Sequence, residues 1–412
     1  MAKRPAVKSP FALHPSVTAR CNLATTRARE ITLSPDGALL LVQDDRRAAL
    51  YDTRTGLKVK HGAGVDGARA DHVAWSPRGD HFATLLRDDH GDGATVTLWD
   101  ADTGAAAHTV TLARFGTFTH GLPGTAAPVM AFSPAGSALF VRSTPSISNG
   151  ASYVWRIDVA TGAAAEAKVP LRQNLESLVA RNDDVVFLVF SGAGPNALCA
   201  WRFGDADALA AWEHAWGTCL GLAHETLWAA GDPRWLFGFD ADALAAGKSP
   251  APPSDAPLAH ELKIAQPLRD ARVEELSLRA KGRWYVEHFK WVQRREVDSA
   301  RDDARHGHAR WAPGVRAWLK AEPHPVAQAE PLGRGVVLRD GVSLVAVRRD
   351  GDALRELRLV EDLQKSAPQN ARMACLATAG NVMAIAWDKS LGGGTALVHV
   401  VEVDLAAAGL AG

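Results

Sequence analysis

Five arginines, two histidines and a tryptophan crowd one polar stretch, "QRREVDSARDDARHGHARWAPG", between the apolar runs "RWYVEHFKWV" and "VRAWLKAEP". Three chemistries could use them. Arginine and tryptophan anchor protein interfaces, because a planar fork makes several hydrogen bonds and a large ring covers much area. Guanidinium groups also suit phosphates, so nucleic acid is a second use. The third is metal ligation by His306-Gly307-His308. Zinc needs four ligands, and neither a cysteine nor a further histidine adjoins this pair. Glu296, Asp298, Asp302 and Asp303 are interleaved with the bases, which also suits a solvated, mixed-charge loop. Arg294, Arg295, Arg301, Arg305, His306 and Trp311 are the candidate partner-binding residues.

Other reactive types do not assemble. Asp88, Asp89 and Asp92 precede Gly93, but they lack the alternate spacing and closing glutamate of a calcium loop. Cys21, Cys199, Cys219 and Cys375 are scattered, with no Cys-x-x-Cys pair. That argues against both a zinc site and a disulfide framework, and fits a reducing, cytoplasmic setting. There is no Gly-x-Ser-x-Gly elbow, P-loop, His-Glu-x-x-His or dinucleotide fingerprint. No catalytic residue, metal or cofactor is assigned. An enzyme or small-ligand protein using scattered loop residues stays open as an alternative.

Lysine plus arginine equals aspartate plus glutamate, 46 each. A balanced chain argues against nucleic acid or an anionic membrane as main partner, since both call for a basic excess. The balance does not hold locally: acids dominate Gln173–Leu262 and bases Leu268–Lys320. No leader-type apolar stretch follows Lys3, Arg4 and Lys8, and no segment has the ~20 apolar residues of a spanning helix.

A repeated element carries these residues. "ITLSPDGALLLVQ", "VAWSPRGDHFATLL" and "MAFSPAGSALFVRS" each place glycine four positions after an apolar residue: Leu33/Gly37, Trp75/Gly79, Phe132/Gly136. Proline presets φ at the turn and glycine takes the left-handed position, so each is a β-hairpin. The spacing recurs at Val179/Asp183, Leu278/Gly282 and Leu376/Gly380, one residue shorter at Leu338/Gly341, and without glycine in "CLGLAHETLWAAG". A third strand then ends in aspartate and a turn, at Asp52, Asp100, Asp158, Asp240 and Asp404. These periodic aspartates read as turn residues. Trp75, Trp155, Trp201, Trp228 and Trp284 sit in strand patterns and read as core.

Four-stranded units at this period are β-propeller blades. "WSPRGDHFATLL…VTLWDADTG", with Trp99-Asp100, resembles the WD40-repeat family in its divergent bacterial form, with TolB-like propellers as the alternative. The Gly-His pair of that family is absent, and His72 is its partial stand-in. The resemblance implies an all-β propeller of four-stranded antiparallel blades. Starts near residues 31, 73, 129, 175, 218, 273, 335 and 373 give eight blades, with seven the alternative. Residues 1–15 form a tail and 16–412 one domain, in which Ser16–Ala24 supplies the outer strand that closes the ring. The implied function is a non-catalytic scaffold or adaptor of a larger bacterial complex. It would bind another protein through the loops of the face that carries 293–314.

Overall fold

The computed structural model describes residues 11–25, 28–44, 47–59, 65, 67–88, 93–116, 129–143, 151–171, 174–191, 197–212, 219–223, 226–230, 235–248, 259–261, 329–340, 343–350, 353–361, 372–388 and 396–411.

The Ser-Pro-x-Gly turns form as their residues dictate. In each, the glycine amide donates to the serine carbonyl, at 2.7 Å in Gly37–Ser34, 2.9 Å in Gly79–Ser76 and 2.8 Å in Gly136–Ser133. All three glycines take positive φ, between 66° and 79°. Turn packs on turn: a Cβ on Gly37 would lie 2.6 Å from Val382, and one on Gly136 2.8 Å from Ser76 and Arg78.

Two strands lead in, the short β1 (Ala12–Leu13) and the long β2 (Val17–Thr25). The first sheet is β3 (Ala28–Leu33), β4 (Leu39–Asp44) and β5 (Arg47–Asp52). The second is β6 (His72–Trp75), β7 (His81–Arg87), β8 (Ala94–Asp100) and β9 (Ala106–Leu112). The third is β10 (Met130–Phe132), β11 (Ala138–Ser143), β12 (Tyr153–Asp158) and β13 (Ala164–Lys168). The fourth is β14 (Asn174–Ala180), β15 (Val185–Ser191), β16 (Ala197–Arg202) and β17 (Ala210–Trp212). In the fifth, β18 (Cys219–Ala223), β19 (Thr226–Ala230) and β20 (Trp235–Asp240) are followed by helix α1 (Ala241–Ala245) and then β21 (Ala259–Glu261). The sixth is β22 (Ala329–Leu332), β23 (Gly335–Asp340), β24 (Ser343–Asp350) and β25 (Ala353–Glu361). The seventh is β26 (Arg372–Ala379), β27 (Val382–Asp388) and β28 (Ala396–Val403).

Each sheet is an antiparallel meander, and the first strand of each lies beside the first strand of the next. The circuit runs β3, β6, β10, β14, β18, β22, β26 and back to β3. Sheets set face to face around an axis in this way make a β-propeller. Among the described residues they number seven, against eight expected. The unit placed near 273 lies outside the described residues. One start also moves. The hairpin at Leu338/Gly341 joins the second and third strands of its sheet, because β22 precedes it through the turn at Gly333, where φ is +55°.

The N-terminal strand closes the ring. β2 pairs with β28 from Val17 opposite Val403 to Thr25 opposite Ala396. The tail is shorter than 1–15. Ala12 and Leu13 pair with β25, and Phe11 is buried in the cluster that joins the sixth and seventh sheets. The C-terminus clasps the same pair of sheets. Leu410 is buried there, its carbonyl accepts from the Arg334 amide at 2.9 Å, and Gly409 O accepts from Arg348 at 2.6 Å.

The tryptophans behave as core. Trp75, Trp99, Trp155 and Trp201 are buried, the side chain of Trp228 and all of Trp284 lying outside what is described. Trp99 Nε1 donates to Thr84 Oγ1 at 2.9 Å, which satisfies the one polar atom the ring brings inside.

Candidate functional site: the channel mouth and the long connections

Alternation of strand direction sorts the connections between the two ends of the ring. First-to-second and third-to-fourth links meet at one end, second-to-third and fourth-to-first links at the other. At the first end nearly all are tight turns, such as 34–38, 76–80 and 133–137, the exception being 241–258 with its helix. The second end collects 88–93, 113–129, 144–152, 362–371 and 389–395.

The short end is made by aspartates. Asp52 accepts from the amide and hydroxyl of Thr55 at 2.7 and 2.8 Å. Asp100 does the same with Thr103, and Asp158 with Thr161. Those threonine hydroxyls, then the backbone amides, hold Asp100 and Asp158 below the usual carboxylate range. Asp240 caps α1 by accepting from the Ala243 amide at 2.9 Å. These carboxylates serve turns and caps.

At the axis, the first strands enclose a cavity of about 160 Å³, lined in part by Glu30, Thr32, Met130, Glu330, Cys375 and Thr378. Charges gather where these strands begin. Glu30 accepts from the Val73 amide at 2.9 Å and meets His72 Nδ1 at 3.2 Å, which ties the first sheet to the second. His72, the partial stand-in for the family's Gly-His pair, thus sits against Glu30. Asp71 accepts from the Arg87 amide at 2.9 Å and faces its guanidinium at 3.5 Å. Arg142 is buried and donates to Leu175 O at 2.9 Å, which ties the third sheet to the fourth. Burial pushes its pKa down, and Glu176 and then Glu30 push it back up.

Chemically, this collar is a set of ties within and between sheets with its charges engaged. Burial raises the Cys199 thiol, and burial followed by Asp52 raises Cys21 to about 11, so neither is a ready nucleophile. Among the described residues no three of His, Cys, Asp and Glu are grouped to hold a metal. Sequence reasoning passed over Glu30, Arg142 and Glu176. A charge inside an otherwise apolar first or second strand, as in "REITL" or "NLESLVA", is the signal that could have found them.

Arg294, Arg295, Arg301, Arg305, His306 and Trp311 lie outside the described residues. The chain leaves the fifth sheet at Glu261 and returns at Ala329, both at the end with the long connections.

No family model and no curated protein matches the chain. Solved structures do. The structure of U3-55K aligns with a TM-score of 0.56 at 11% identity, covering 94% of this chain and 99% of that one. A chain in the crystal structure of the Mitotic Checkpoint Complex gives 0.54 at 11%, covering 98% and 95%. The β-propeller domain of Myceliophteria thermophila Cps50 (Swd1) gives 0.54 at 12%, covering 94% and 99%. At such identities the likeness shows fold, and the fold is that of the WD40-like propellers.

Proposed function

From a WD40-like propeller whose long connections gather at one end, we propose that this protein is a non-catalytic scaffold in a larger bacterial complex. It binds a partner protein through that end. Arg294, Arg295, Arg301, Arg305, His306 and Trp311 make the contacts, with no metal or cofactor. The observation that carries this is the asymmetry of the connections, 34–38 and 76–80 at one end against 113–129 and 144–152 at the other. A ring of packed sheets holds its ends rigid, so loops anchored there are displayed without further ordering cost to the scaffold. One similar structure was determined within a complex, the Mitotic Checkpoint Complex, which accords with a propeller acting as a subunit. The described cysteines Cys21, Cys199 and Cys375 are buried free thiols, which supports placing the protein in the cytoplasm.

The test is a tagged pulldown from the native host, comparing the natural chain with an Arg305→Ala, Trp311→Ala double variant. The natural chain should recover a partner stoichiometrically, and the variant should lose it at least about tenfold, as truncating two anchors predicts. Equal recovery by both removes the 293–314 assignment. No partner in any extract removes the scaffold reading.

A further inference from the structure

We propose that the seam between the N-terminal strand and the last sheet is an acid-sensitive latch: protonation of His399 releases β2 from β28 and opens the ring. His399 is fully buried, with Asn22 of β2 and Ile385 of β27 as its register partners. Its Nδ1–H donates to Asn22 Oδ1, and the Phe11 ring meets it edge-on with centroids 5.3 Å apart. Phe11 in turn shares an apolar cluster with Ile385, Leu359 and Val401. An imidazolium formed there must regain water. Asn22 is exposed, so water already stands beyond β2. Lifting that outermost strand is the smallest movement that hydrates the ring, and it leaves β26 and β27 in place.

Among the described residues, the titratable groups of the surrounding elements are otherwise occupied or exposed. Arg20 of β2 and Glu402 of β28 bind each other at 2.9 Å, His14 is held by Ser16 at 2.8 Å, and Arg358 of β25 is exposed. Burial is what lowers the His399 pKa, to about 4 from the ordinary 6.5. The lifted state takes up a proton below pH 6.5, and the closed state does so only near 4. Opening therefore grows roughly tenfold per pH unit across that window, about 300-fold in all, and is flat above it.

Hydrogen exchange of the full chain from pH 7.5 to 4.5, corrected for intrinsic rates, tests the latch. The β2 amides bonded to β28 should lose protection about tenfold per unit below 6.5, while those of β15 and β16 hold. His399→Phe should remove the dependence. Asn22→Asp, which sets a carboxylate beside the imidazolium and so favours the proton in the closed state, should leave the onset near 6.5 and shrink the fold-change below it. The proposal falls if His399→Phe keeps the same slope. It falls equally if β2, β15 and β16 lose protection together, or if Asn22→Asp leaves the full fold-change in place.

Discussion

At the scale of single residues, the polar atoms inside this protein decide more than the conspicuous ones. Trp99 is half of the Trp-Asp pair that first drew the family resemblance, yet its indole serves Thr84. Replacing Thr84 by valine keeps the shape and removes the acceptor. The expected loss is about 1–3 kcal/mol in urea unfolding, with serine restoring most of it. Asp100 was legible as a turn residue because it recurs with the period, and Thr103 three positions on completes the turn. Glu30 was legible only as a charge inside an apolar strand, not by what it binds. Its partners Val73 and His72 lie on the next sheet, and no local spacing announces a contact between sheets.

At the scale of elements, the Ser-Pro-x-Gly hairpins were readable because proline and glycine act through their own backbones. What the motif does not disclose is how closely each turn is packed. Gly37→Ala would meet both positive φ and Val382 at 2.6 Å, whereas Gly79→Ala meets only Pro35 at 3.5 Å. Alanine at Gly79 should cost about 1–2 kcal/mol, the ordinary price of left-handed backbone, and more at Gly37. Thermal midpoints of the two variants check the order, and equal shifts would refute the packing argument. The closing strand was also legible, since the last unit lacks an outer strand. A chain beginning at residue 26 would bare the edge of β28, with Val398, Val400 and Val401 in that strand. Such a chain should aggregate where the intact protein stays dispersed, as light scattering would show.

For the whole molecule, acid should act in two stages of opposite origin. His399 has a lowered pKa as a base, so the stability tied to its neutral form fades between pH 6.5 and about 4. Asp36, Asp183 and Glu402 have lowered values as acids, set first by Ser34, by Ser133 and Ser137, and by Arg20. Their contribution is complete above the ordinary carboxylate range and is lost only as pH falls through it and below. A titration of the unfolding free energy should show stability fading from pH 6.5 toward 4 and a further loss below 4. The first part should vanish in His399→Phe and the second should remain.

The heptapeptide "DADALAA" marks the boundary between local and global information. At Asp205–Ala211 it makes a turn and enters β17, where Leu209 N bonds Ala200 O at 2.8 Å. At Asp240–Ala246 it is capped by its first residue and forms α1, with Ala241 and Leu244 buried. One string adopts two structures because β16 ends before the first copy begins, whereas β20 ends on Asp240 itself. The sequence by itself determined hairpins, turns, buried tryptophans and the class of fold, since each follows from φ preferences and apolar alternation within a few residues. Only the tertiary structure decided how many sheets meet in the described circuit, which charges face across them, and what holds the ring shut. Those depend on contacts such as Asn22 with His399, which no local rule can pair.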